Sequence, residues 1–152
     1  GATDPLNPAG VATEQLERWK RDGVVEWWGV REDMPQVLAS SSVACLPSYR
    51  EGLPKFLVEA AASARPIVAA DVPGCREIVR DGENGLLVPA RDPRALADAL
   101  LRLLRDPALR ARMGACGRKM AEAEYSTAFV AARTLAVYRE LLGSGSEAHA
   151  QA

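Results

Sequence analysis

Short, continuously apolar runs alternate with amphipathic stretches along this chain. Val24-Val25-Glu26-Trp27-Trp28, Val43-Ala44-Cys45-Leu46, Pro66-Ile67-Val68-Ala69-Ala70 and Leu86-Leu87-Val88 are β-prone runs bounded by Gly or Pro, and each predicts a strand. Between and after them, apolar residues recur at helical spacing behind capping residues. The pattern predicts helices from Thr13 to about Arg21, closed by Gly23, and from Met34 to about Ser41, with Asp33 as cap and Pro35 in the first turn. A third runs from Lys55 to about Ala64, with Phe56, Leu57, Ala60, Ala61 and Ala64 as its apolar face. A short one spans Cys75 to Arg80. Three longer ones follow: Pro93 to about Leu104 behind Asp92, a helix opened by Asp106-Pro107 and ending near Glu124, and one from Ser126 to about Leu142 stopped by Gly143. Asp4 to Pro8 is loop chemistry, Asp81 to Gly85 is a tight turn, and the small, polar tail from Ser144 to Ala152 reads as disordered.

Strands that are apolar throughout belong in a sheet covered on both faces. Alternation with helices predicts an α/β fold, a parallel sheet with flanking helices and right-handed crossovers. Ligands of such sheets bind beyond the carboxyl ends of the strands. The segments 29–32, 47–54 and 71–74 all follow predicted strands and are expected to line that rim.

Composition narrows the functional classes. The chain has 152 residues, 48% hydrophobic and 26% charged, enough for one domain with its own core. A net charge of −1 excludes the broad basic surface that nucleic acid needs. Cys45, Cys75 and Cys116 show no paired spacing, which argues against zinc and a disulfide framework. His149 is the only histidine, so no His-based metal site or triad is expected. No run of about 18 apolar residues is present for a membrane span. Gly1 to Asn7 has neither the basic region nor the apolar core of a signal peptide, and no initiator Met precedes it. The reading is of a piece of a longer protein, working in the cytoplasm.

The chemistry concentrates in Glu51-Gly52-Leu53-Pro54-Lys55-Phe56-Leu57-Val58-Glu59. One carboxylate sits in a Gly/Pro turn and the other on the helix that the turn launches. The N–H groups of a helix start can face a diphosphate, and carboxylates on either side can accept from sugar hydroxyls. By spacing alone, the same two residues read equally well as a solvated turn and an exposed helix carboxylate. Lys55 and Arg31 read as ordinary surface charges, Cys45 as a small core residue. Cys75, at a helix start, could have a lowered thiol pKa, but the inert reading is favoured.

The ordered set of landmarks resembles a known family. It comprises Val25-Glu26-Trp27-Trp28-Gly29, Leu46-Pro47-Ser48, Glu51 with Glu59, Ala60-Ala61-Ala62, Arg65-Pro66-Ile67-Val68-Ala69, Gly74-Cys75-Arg76-Glu77-Ile78-Val79 and Asn84-Gly85-Leu86-Leu87-Val88. Over nearly its whole length the chain resembles the carboxyl-terminal, donor-binding half of retaining, GT-B-fold glycosyltransferases of family 4. The form Arg50 to Lys55 resembles bacterial enzymes of capsule and O-antigen synthesis. The resemblance implies a Rossmann-like domain over 1–143, with its first strands missing upstream and an exposed edge at Val43 to Leu46 that could pair with another copy. It implies a nucleotide-diphosphate sugar donor, most readily UDP-hexose or UDP-N-acetylhexosamine, a lipid-linked or growing glycan acceptor bound by an absent amino-terminal domain, and no metal or other cofactor.

Residue by residue, Glu59 matches the glutamate that holds the donor ribose, and Glu51, the catalytic candidate, the one beside the donor sugar. Gly52 and Leu53 match the turn whose amides approach sugar or phosphate. Gly29, Val30 and Arg31 match a loop near the base, and Ser48 and Tyr49 lie on the same rim. Pro54 stands where the family turn has a second glycine, and Lys55 could then supply charge near the diphosphate. Arg76 stands where proline is frequent. The diphosphate-holding Arg and Lys of the family lie upstream of Gly1, so the chain alone is expected to be inactive, and the full enzyme to work at the cytoplasmic membrane face. The alternatives are a sugar-nucleotide 2-epimerase and a non-catalytic nucleotide-binding or assembly module of the same fold.

Overall fold

The computed structural model describes the backbone of residues 10–148 and the side chains of residues 10–142, so the predicted loop at Asp4 to Pro8 and His149 lie outside the described residues. The chain divides into two compact units, one up to Met34 and one from Pro35 onward.

In the first unit, α1 (Thr13–Arg21) forms as expected and ends in a Schellman motif. Gly23, at φ 68°, donates to the Lys20 carbonyl at 3.1 Å, and Val24 donates to the Trp19 carbonyl at 2.9 Å. That closure overrides the strand predicted at Val24 to Trp28: its first amide is used to end the helix, and no strand is present there. The segment is instead organised by side chains. Trp28 Nε1 donates to Glu26 at 2.9 Å, and the Arg31 guanidinium lies 5.9 Å from the Trp28 ring centre while pairing with Asp33.

In the second unit, α2 (Met34–Ser40) leads into a three-stranded parallel sheet, ordered β1 (Ala44–Leu46), β2 (Ile67–Ala70), β3 (Gly85–Val88). Ala44 pairs with Ile67, and Ile67 in turn with Gly85. All of β2 is buried, as its unbroken apolar sequence requires of a strand covered on both faces. α5 (Pro93–Arg105) supplies Ala99 and Leu103 to a core with Val68, Leu86 and Val88, to which Leu109 and Met113 of α6 (Pro107–Glu124) add. Leu104, near the end of α5, is more than half exposed. The starts of α5 and α6 follow the sequence signals closely: Asp92 accepts from the amides of Arg94 and Ala95, Asp106 accepts from Leu109, and a proline opens each helix.

α3 (Lys55–Ala62) packs through Leu57, Ala60 and Ala61. It stops two residues earlier than predicted in a second Schellman motif, with Ala64 at φ 54° and Arg65 donating to the Ala60 carbonyl at 2.9 Å. Ala64 therefore belongs to the cap, not the apolar face. α4 is also shifted, to Pro73–Arg76 instead of Cys75 to Arg80. Its expected second half is held by Asn84, a fully buried side chain that accepts from the Arg80 amide at 2.8 Å and donates to the Ile78 carbonyl at 2.9 Å. Asn84→Ala would leave both backbone groups without that partner. We expect it to lower unfolding free energy by about 2 kcal/mol, read as a shifted denaturant midpoint at unchanged slope.

α7 (Thr127–Ala148) continues as backbone helix through Gly143, where a stop was expected. A single glycine weakens a helix interior by only about 1 kcal/mol. Phe129, Leu135, Val137, Tyr138, Leu141 and Leu142 are exposed on it. No helix among the described residues is long and apolar enough to cross a membrane.

Candidate functional site

Because the three strands run parallel, the loops that follow β1, β2 and β3 share one rim. The β1–α3 loop carries Ser48, Tyr49, Glu51, Gly52 and Leu53. Ser48 and Glu51 are half-buried, while Gly52 and Leu53 stand open to solvent. Pro54 is buried and serves as N-cap of α3, and no side chain caps the helix. Proline has no N–H of its own. The amides of Lys55 and Phe56 therefore point from the first turn toward solvent or a ligand, in contrast to the Asp-capped starts of α5 and α6.

Glu59 lies one turn along α3, half-buried, with Lys55 Nζ 3.2 Å from its Oε1. The Lys55 side chain is 89% exposed, so this pair contributes little to stability and the ammonium is free to move to another anion. Glu51, Lys55 and Glu59 thus bracket one uncapped helix start, as their spacing predicts.

The position of Glu51 depends on a second loop. At Gly74 the start of α4 runs directly beneath the Glu51-Gly52 peptide. A Cβ there would fall 2.6 Å from the Glu51 carbonyl oxygen and closer still to that of Gly52. Cys75 is fully buried beside it, and burial first, then the Glu51 carboxylate, push its thiol pKa up. Both effects oppose the lowered thiol pKa considered for this helix start and favour the inert reading of Cys75. Arg76 donates from Nε to the Asp71 carboxylate and from Nη2 to the Asp71 carbonyl at 3.3 Å, tying α4 to the end of β2. Hydrogen bonding to Arg76 holds the Asp71 carboxyl below its ordinary range. The third loop brings Arg91, whose guanidinium lies 5.1 Å from the Tyr49 ring centre.

Val30 and Arg31 belong to the first unit. Val30 is 70% exposed, and Arg31 is engaged by Asp33, whose carboxylate raises the guanidinium pKa. Sequence reading missed the crossing at Gly74 and the Tyr49–Arg91 contact. The first had a signal, since Gly74 stands among the landmarks, but the reason for a glycine is visible only where two loops meet.

The family profile described as glycosyl transferases group 1 matches residues 5–106. The chain belongs to this family. Its second unit carries the sheet of the GT-B carboxyl-terminal domain. This group 1 chain is 40% identical over 144 residues to the phosphatidyl-myo-inositol mannosyltransferase of Mycobacterium leprae, covering 91% of the chain and 38% of that enzyme. Among solved structures it superposes on sucrose-phosphate synthase from Thermosynechococcus elongatus with a TM-score of 0.79 at 29% identity, over 95% of the chain and 38% of the synthase. With Anabaena HepE in complex with UDP the TM-score is 0.73 at 26% identity, over 82% of the chain and 36% of HepE. The chain therefore spans little more than a third of the length of these relatives.

Proposed function

We propose that residues 1–143 form part of the donor-binding domain of a retaining glycosyltransferase, which moves a hexose or N-acetylhexosamine from a UDP-sugar to a lipid-linked or growing glycan. The observation that carries this reading is the uncapped start of α3 with Glu51 on one side and Glu59 on the other. Glu59, on a fixed helix, accepts from the two ribose hydroxyls, a vicinal diol matched to a carboxylate. The first-turn amides and those of Gly52 and Leu53 receive the diphosphate and the donor sugar. Lys55 leaves Glu59 for the diphosphate, and Ser48 adds a hydroxyl at the rim. Glu51 stands beside the sugar, where a carboxylate stabilises positive charge developing at the anomeric carbon. The UDP held by HepE supports the choice of nucleotide, and the name of the mycobacterial mannosyltransferase supports a lipid-linked acceptor. Such an acceptor places the full enzyme at the cytoplasmic membrane face. The remaining phosphate ligands and most of the acceptor site belong to the rest of the enzyme, so the isolated chain is inactive, and its open β1 edge can pair with a second copy.

Calorimetric titration of UDP into the chain and into Glu59→Ala tests the assignment. Removing a charged acceptor is expected to weaken UDP about 10- to 100-fold, and equal affinity in the two proteins would refute the ribose role.

A further inference from the structure

A cavity of about 360 Å³ opens on the rim between the β1–α3 loop and the start of α5, bounded by Ala70 and Val88 at the ends of β2 and β3. We propose that this cavity is a second carbohydrate subsite, one that takes a single pyranose ring. Identifying the ring as the acceptor's rests on the transferase reading above.

The chemistry of the walls is that of a sugar site. Pro47, Pro89, Pro93, Leu96 and the Tyr49 ring present flat apolar surface, matched to the C–H face of a pyranose. Arg91 supplies a fork of N–H donors matched to adjacent hydroxyls. Among the described residues no carboxylate pairs with it, and its guanidinium is set against Tyr49, 5.1 Å from the ring centre. Asp92, also on the wall, is committed to the Arg94 and Ala95 amides. Its charge, and the loss of those amides, disfavour a bare anion. The volume lies at the small end of the range for ligand pockets, about 300–1,000 Å³, which suits one ring better than a nucleotide.

The backbone adds an independent observation. Arg91 sits at φ 64°, a region that side chains other than glycine enter at a cost. Strain of this kind concentrates where a side chain must be presented at a site. Here it carries the guanidinium to the mouth of the cavity.

The test is saturation-transfer NMR on the 152-residue chain with methyl α-D-mannopyranoside and methyl α-D-glucopyranoside, and inorganic phosphate as a separate arm. Arg91→Gly relaxes the backbone and should fold at least as well as the parent, with a thermal midpoint raised by about 2 °C. It should nonetheless bind glycoside at least tenfold more weakly, as should Tyr49→Ala. Glycoside binding should persist in Glu59→Ala, the variant that loses UDP. Absence of glycoside binding by the parent chain, binding unchanged in both cavity variants, or displacement of glycoside by inorganic phosphate would each overturn the subsite. If UDP binding is indifferent to Glu59→Ala while glycoside still depends on Arg91, the donor reading fails and the sugar subsite stands. The reverse pattern removes the subsite and leaves the donor site intact.

Discussion

Gly74→Ala is expected to disable donor binding although Gly74 is not itself among the residues proposed to contact the donor. The added methyl would meet the Glu51 carbonyl oxygen at 2.6 Å and the Gly52 carbonyl oxygen more closely, and both are backbone atoms that cannot rotate away. One of the two loops must shift. Overpacking of this kind lowers stability by about 3 kcal/mol. The larger consequence is geometric, because displacing a positioned group by roughly 1 Å can reduce turnover about 100-fold. In the full-length enzyme the variant should remain folded by circular dichroism, unfold at a lower temperature and lose at least that much kcat/KM for the donor. Wild-type turnover would show that the β1–α3 loop tolerates the move and that its register over α4 is not what places Glu51.

Glu51→Gln is expected to act on chemistry. The substitution keeps the shape and removes the charge. Losing a preorganised electrostatic partner of the transition state typically lowers kcat about 100- to 1,000-fold. The KM for the donor should change little, since Glu59 and the amides of the α3 start, the donor ligands proposed above, are left in place. The same variant carries an internal reporter. The Glu51 carboxylate is the second cause, after burial, of the raised Cys75 thiol pKa. Neutralising it should move that pKa down, toward but not to the ordinary value, in an NMR titration of the cysteine Cβ. A large fall in kcat with the thiol pKa unmoved would mean that Glu51 acts from a different position.

Much of this was legible in the chain, and the exceptions have specific physical causes. β2 announces itself because a central strand covered on both faces has to be apolar throughout. The starts of α5 and α6 are equally plain, since Asp92 and Asp106 each precede a proline and each accepts first-turn amides. The bracket of Glu51 and Glu59 could be read because it is local, fixed by the seven residues of turn and helix between them. What stayed hidden depended on partners distant in sequence or on competing local bonds. Val24 to Trp28 has strand composition, yet its leading amide closes α1. The segment after Arg76 has no helix because Asn84 claims its backbone groups. The Gly74 crossing and the Tyr49–Arg91 contact join separate loops, and no local pattern reports such a meeting.

The order of the sheet has a bearing on how the second unit comes into being. β1, β2 and β3 lie side by side in the order in which they are synthesised, and each is joined to the next by one crossover. No pairing in this sheet waits for a remote piece of chain, so the loop-closure entropy that slows parallel sheets is incurred in two short steps. The unit can assemble progressively as it leaves the ribosome. The wall on α3 is completed later, when α4 comes to lie beneath the Glu51-Gly52 peptide and α6 packs on α3.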